Sequence, residues 1–249
     1  MFMAICVFAQ KHNITLGSTL TSSKNPKWVS GNGQFAFGFY IIAPSVYVLG
    51  VWFENIPRKT LAWTAMKDKS GITVGEGCTL QLSDTGLYLY DAQRNLLWSA
   101  APSENVAAAA LLDNGNFVLL NALFQPIWQS FDYPTDTLLP GQTLKWESTM
   151  FSKASVTDFL AGRFQLSIQG DGNLVLYTVD WVGTSQGSYW NTGTYKFVDN
   201  PTSLNFEQSG VLSLVNSTTN ITVHTITTGE AGGGQFLRRV TLDTYGILG

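Results

Sequence analysis

The chain has 249 residues, with 14 basic and 17 acidic side chains and a formal net charge of −3. Only 12% of residues are charged while 45% are hydrophobic, a balance that excludes an intrinsically disordered chain. There is no basic excess to neutralise phosphates, so nucleic acid is not an expected partner. No apolar run approaches the roughly 18 residues of a membrane-spanning helix.

Residues 1–9, MFMAICVFA, form an apolar stretch that polar Gln10, Lys11 and His12 follow at once. They read as the remnant of a signal peptide, with Val7 and Ala9 as small residues before a cleavage point. Three N-x-[ST] sequons, at Asn13, Asn216 and Asn220, fit an extracellular or apoplastic glycoprotein. The two cysteines, Cys6 and Cys78, are too few for a disulfide framework, and Cys78 reads as a half-buried small apolar residue. With His12 and His224 as the only histidines and no CxxC or HExxH, neither a metal nor a cofactor is expected.

Helical periodicity is nearly absent, and the one helix-friendly run, Ala107 to Leu112, is short. Elsewhere short apolar runs are cut by Gly, Asn, Asp and Pro. Examples are Gln34-Phe-Ala-Phe-Gly-Phe, Val46-Tyr-Val-Leu-Gly-Val-Trp and Leu174-Val-Leu-Tyr. That pattern predicts an all-β fold.

A turn-then-strand unit recurs at Asp84-Thr-Gly, Asp113-Asn-Gly-Asn, Asp171-Gly-Asn, Gln208-Ser-Gly and, incompletely, Asp243-Thr-Tyr-Gly. A longer repeat pairs Gly33 with Gly162, Trp63 with Trp190, Leu87 with Val211 and Phe117 with Ile247, at offsets of 129, 127, 124 and 130 by subtraction. One order at nearly one offset predicts two tandem domains of one fold, over 10–131 and 149–249, joined by a Pro-rich linker at 132–148. Units this small must pack on one another, and a radial arrangement of small sheets does so.

The segment 163–178, RFQLSIQGDGNLVLYT, carries the chemistry. A two-residue loop would scramble its faces. A three-residue loop, Gly170 to Gly172, opposes Gln169 to Asn173, Ile168 to Leu174 and Leu166 to Leu176, which keeps the apolar residues on one side. Gly172 then takes the left-handed position. The other face gathers Gln169, Asn173, Val175 and Tyr177, with Asp171 at the tip. One carboxylate, two amides, a phenol and a small apolar patch match the hydroxyls and C–H face of a sugar. A shallow, weakly charged site of this kind predicts about −4 kcal/mol, roughly millimolar.

Gln169-x-Asp171-x-Asn173-x-Val175-x-Tyr177 matches the QxDxNxVxY mannose site of monocot bulb-type lectins. Residues 13–249 resemble the ectodomain of plant G-type lectin S-receptor-like serine/threonine kinases. The resemblance rests on Gly33-Gln-Phe-Ala-Phe-Gly-Phe, Gly50-Val-Trp-Phe, Thr60-Leu-Ala-Trp and Trp128-Gln-Ser-Phe-Asp-Tyr-Pro-Thr-Asp-Thr-Leu-Leu-Pro-Gly. It implies two β-prism II domains with pseudo-threefold symmetry. It also implies a mannose-type glycan as partner, with Gln169, Asp171, Asn173 and Tyr177 bonding hydroxyls and Val175 packing on the ring. A cell-surface location would follow if the chain is part of such a receptor.

The motif is eroded at Leu82-x-Asp84-x-Gly86-x-Tyr88-x-Tyr90, at Leu112-x-Asn114-x-Asn116-x-Val118-x-Leu120 and at Phe206-x-Gln208-x-Gly210-x-Leu212-x-Leu214. One working site is therefore expected, in the second domain, and a monovalent binder with no avidity gain. The chain is read as an ectodomain fragment, with a natural soluble lectin as the alternative.

Kinase motifs are missing, so the chain is not expected to be an enzyme. Gly183-Thr-Ser185-Gln-Gly187 fits G-x-S-x-G but lacks the strand–turn–helix setting a nucleophile needs. Asp132 and Asp136 read as turn residues rather than a glycosidase pair. The Gly-rich run from Gly229 lacks the Lys of a phosphate loop. The serious rival to sugar binding is a lectin-fold ectodomain used for protein recognition, with itself or another ectodomain as partner.

Overall fold

A computed structural model describes residues 13–24, 27–67, 70–155, 158–181, 187–195, 201–229 and 237–249. The chain divides into two compact units, 1–133 and 134–249. Apart from two short 3-10 helices, Ser130–Asp132 and Val179–Trp181, the regular structure of the described residues is antiparallel β. The expected signal segment 1–9 and the G-x-S-x-G serine, Ser185, lie outside them.

The first unit has three main sheets. One holds Lys27–Val29, Phe35–Ala43, Val46–Phe53 and Thr60–Thr64, with Thr73–Val74 added. The second orders Leu96–Ala100, Gly86–Tyr90, Thr79–Ser83 and Thr19–Thr21. The third orders Ile14–Thr15, Ala108–Leu111, Phe117–Leu120 and Pro126–Gln129. Each sheet sends one tryptophan inward at a matching place: Trp63 opposite Val51, Trp98 opposite Leu89 and Trp128 opposite Leu119. The three indoles meet edge to face, with centroids 6.1 to 6.3 Å apart. That arrangement suits the quadrupoles of aromatic rings and marks the pseudo-threefold axis. Cys78 is buried rather than half-buried, and burial pushes its thiol pKa up.

The second unit repeats the plan. One sheet orders Thr149–Lys153, Ala161–Ile168, Leu174–Thr178 and Ser188–Asn191, and another orders Thr143–Leu144, Thr202–Phe206, Val211–Asn216 and Thr222–Thr228. The third pairs Thr137–Leu138 with Val240–Thr241, and Leu242 bridges Leu248. Met150, Leu166, Ile168, Leu174, Leu204, Leu212 and Leu242 share its core. Segment 132–148, expected as a linker, supplies two of these strands. Its alternating Thr-Leu pairs place Leu138 and Leu144 in the core at 0% and 1% exposure.

Two repeat anchors shift by one residue. The core pairs Leu82↔Leu87 and Phe206↔Leu212 align Leu87 with Leu212 rather than Val211. Likewise Leu111↔Phe117 and Leu242↔Leu248 align Phe117 with Leu248 rather than Ile247. Side-chain direction alternates along a strand, so core facing fixes these registers.

Candidate functional site

The hairpin Ala161–Ile168/Leu174–Thr178 has the expected register, with Ile168 opposite Leu174 and Leu166 opposite Leu176. The Gln169 N–H donates to Asn173 O at 2.9 Å and the Gly172 N–H to Gln169 O at 3.0 Å, closing a three-residue loop. Gly172 has φ +80°, a left-handed conformation that glycine adopts without steric cost. The apolar residues enter the core, which leaves Gln165, Ser167, Gln169, Asn173, Val175 and Tyr177 on the other face.

That face is more closed than the sequence suggests. Gln169 Nε2–H donates to the Tyr177 phenol oxygen at 2.6 Å. The register sets Tyr177 opposite Gln165, so this bond spans the Ser167–Val175 pair between them. Tyr177 is 5% exposed and Val175 only 2%, so Val175 is a covered floor rather than an open apolar patch. Gln165, absent from the five-residue motif, donates to Ser167 Oγ at 3.0 Å and extends the polar surface.

At the tip, Asp171 Oδ1 accepts the Asn173 N–H at 3.0 Å. Asn173 Oδ1 is engaged too, accepting from Thr192 Oγ1 at 3.1 Å and from the Thr194 N–H at 3.1 Å. The Thr194 hydroxyl donates to Gly172 O at 2.8 Å and Thr192 Oγ1 accepts the Leu174 N–H at 3.1 Å. These threonines follow the next strand and carry no motif signature, so the motif alone does not reveal them. Asn173 Nδ2 has no protein partner among the described residues and is not cut off from solvent. It therefore stands as a donor, beside the Asp171 carboxylate and the Gln169–Tyr177 pair.

The other hairpins have lost these features in distinct ways. In the hairpin ending at Asn116, Asn116 Oδ1 accepts from Ser130 Oγ and the Phe131 N–H, both at 3.2 Å, and Nδ2 donates to Gln129 Oε1 at 2.9 Å. Around it, Ala110, Val118 and Leu120 pack with Leu112 and Phe124 into an apolar cluster. In the hairpin at Asp84 the loop has two residues, with Ser83 opposite Gly86, so the motif's glutamine place is held by Ser83 and not by core residue Leu82. A Cβ on Gly86, at the asparagine place, would lie 2.4 Å from Ala100 O, which excludes any side chain there. In the Val211 hairpin the residues on the face opposite the core are Glu207, Ser209, Val211, Ser213 and Val215, one place from the expected Phe206-to-Leu214 series, with Ser213 and Val215 themselves buried. Phe206, Leu212 and Leu214 belong to the core instead.

Of the sequons, Asn13 is half-buried and Asn216 is 8% exposed with Oδ1 accepting the Thr218 and Thr219 N–H groups, while Asn220 is exposed. Among the described residues no group of three or more His, Cys, Asp or Glu gathers as a metal site. No helix there is long and apolar enough to cross a membrane.

Residues 60–159 match the family described as D-mannose binding lectin. The chain is 39% identical over 250 residues to the G-type lectin S-receptor-like serine/threonine-protein kinase LECRK3 of Oryza sativa subsp. indica, covering 95% of this chain and 30% of that protein. It is 32% identical over 213 residues to the G-type lectin S-receptor-like kinase RLK1 of Arabidopsis thaliana, covering 80% of this chain and 26% of that protein. It thus spans about a third or less of the curated relatives. Among solved structures, the mannose-specific agglutinin of snowdrop (Galanthus nivalis) bulbs, complexed with methyl-α-D-mannoside, is 24% identical. The match covers 45% of this chain and 85% of the agglutinin, with a TM-score of 0.35. By these sequence matches the chain carries a bulb-type, D-mannose binding lectin domain of the kind found in G-type lectin S-receptor-like kinases.

Proposed function

We propose that the second unit binds mannose-type glycans through the hairpin at 169–177, as the extracellular recognition module of a receptor-like kinase. The observation that carries this reading is the Asn173 Nδ2 donor, which has no protein partner among the described residues while its amide oxygen is held by Thr192 and Thr194, the residue as a whole being 7% exposed. Beside it the Asp171 carboxylate accepts and the Gln169–Tyr177 pair can both donate and accept. Together they suit adjacent sugar hydroxyls. The first unit is then a scaffold, its sites filled by apolar residues or excluded by glycine.

Calorimetric titration of the chain with methyl-α-D-mannoside tests the reading, with Gln169→Ala as control. Gln169 is only partly buried, and its amide bonds Tyr177, so its loss should leave the core intact. Millimolar binding weakened in the variant supports the proposal. No heat from a folded wild-type chain removes it and leaves protein recognition by the same fold.

A further inference from the structure

We propose that residue 191 decides whether the motif asparagine is open to a ligand, and that its being Asn rather than Gln keeps this site available. The inference rests on the sugar reading above and names a specificity-determining residue outside the motif.

The first unit supplies the internal comparison. Val118 pairs with Gln129 on the next strand, and Val175 pairs with Asn191, so Gln129 and Asn191 occupy the same place beside the motif asparagine. Gln129 Oε1 accepts the Asn116 Nδ2–H at 2.9 Å. Its own Nε2 donates to Asp132 Oδ2 at 3.0 Å, which fixes the oxygen toward Asn116. Both ends of the Asn116 amide are therefore engaged within the protein.

Asn191 is one methylene shorter. Its Oδ1 turns back to accept the Gly193 N–H at 2.9 Å, and it makes no bond to Asn173. The oxygen end of Asn173 is held as in Asn116, by a hydroxyl and a backbone N–H, but its nitrogen end is left over. The two sites share one clamp and differ in the side chain that reaches the donor. A longer acceptor at 191 would take one of the two Asn173 Nδ2–H donors from a ligand, because an internal bond competes without the entropy lost on association.

The test compares Asn191→Gln with Asn191→Ala. Residue 191 is exposed, so both variants should fold. Methyl-α-D-mannoside is titrated into each, and the Asn173 side-chain amide signals, assigned with Asn173→Asp, are followed by NMR. The expectation is a Kd raised roughly fivefold or more in Asn191→Gln, from the loss of one hydrogen-bond donor, and changed less than about twofold in Asn191→Ala. The Asn173 amide signals should shift in Asn191→Gln only. Unmoved signals with wild-type affinity in Asn191→Gln overturn the proposal. So does equal weakening in both variants, which would make Asn191 itself a sugar contact. If the wild type binds no mannose, the proposed function falls, and the amide signals of Asn191→Gln still decide the matter: a shift upholds the capping geometry and no shift overturns it.

Discussion

Gln169 and Tyr177, eight residues apart in sequence, are joined by a 2.6 Å hydrogen bond that runs across the outer face of the hairpin. Side chains opposed directly on a strand pair are Gln165 and Tyr177, so the phenol reaches two pairs along to find its partner. The bond sets the phenol oxygen beside the amide, where both can address one ligand. Tyr177→Phe removes the oxygen and keeps the ring. If the hairpin binds mannose as proposed, affinity should fall roughly three- to tenfold; stability should fall by no more than about 1 kcal/mol, since one neutral hydrogen bond is lost. Calorimetry and thermal unfolding of the same preparation check both numbers.

Asn173 holds the loop with its amide oxygen and, on the proposed reading, offers its nitrogen to a sugar, and a simple truncation confounds the two. Its oxygen accepts from Thr192 Oγ1 and the Thr194 N–H, and Thr194 is 5% exposed. Asn173→Ala strands that buried N–H and should cost about 1–3 kcal/mol. Asn173→Asp keeps an acceptor oxygen and loses the donor. Denaturant midpoints should therefore separate the variants, with Ala well below Asp, while mannose binding is weakened in both.

Much of this site is legible in sequence. The alternation of Phe164, Leu166 and Ile168 with polar neighbours admits only one loop length, and the hairpin has it. The threonines that hold Asn173 are not legible, because they lie 19 and 21 residues away and meet it only through sheet pairing. The alanine-rich run 107–112 shows the same limit in the fold. Local propensity favours helix, yet Ala108–Leu111 is a strand between Ile14–Thr15 and Phe117–Leu120, where Ala109 lies opposite Leu119 and Ala110 packs with Val118 and Leu120. In the Val211 hairpin Leu212 and Leu214 resemble the motif's apolar position in sequence, but both belong to the core, which sets the outer-face series one residue away.

Asp136 and Lys153 form an ion pair at 3.1 Å in the second unit, with side-chain exposures of 7% and 19%. The Lys153 ammonium also lies 5.0 Å from the centre of the Phe159 ring. Removing one partner leaves a charge that water reaches poorly. Lys153→Met should therefore destabilise by about 3 kcal/mol, while the double variant with Asp136→Asn should recover part of that loss. A double-mutant cycle from urea unfolding measures the coupling.

Sequon geometry separates Asn220 from Asn216. Asn216 is 8% exposed and its amide oxygen holds the turn at Thr218 and Thr219, whereas Asn220 stands exposed at the end of that turn. A bulky glycan is tolerated on exposed loops. In secreted material, peptide mass spectrometry should find a glycan at Asn220 and little at Asn216. Asn220→Gln should then lower the apparent mass by one glycan. The opposite occupancy would mean that the turn rearranges to present Asn216.

Glu54 gives the first unit a dependence on acid. Burial raises its pKa, but hydrogen bonds from the Lys27 and Lys59 ammoniums and the Trp52 indole outweigh burial and hold it below the usual carboxylate range. The Lys59 and Trp52 contacts are 2.8 and 2.6 Å. A carboxylate with a lowered folded-state pKa binds fewer protons folded than unfolded. Its contribution is therefore present above the unfolded value and is lost as pH falls through the folded one. Stability should decline below the ordinary glutamate range, near pH 4. Glu54→Gln should be less stable than wild type at pH 7 and should flatten that decline. Unfolding midpoints of both proteins from pH 7 down to pH 3 measure the difference. Parallel curves would mean that the two lysines and the indole leave the Glu54 proton affinity unchanged.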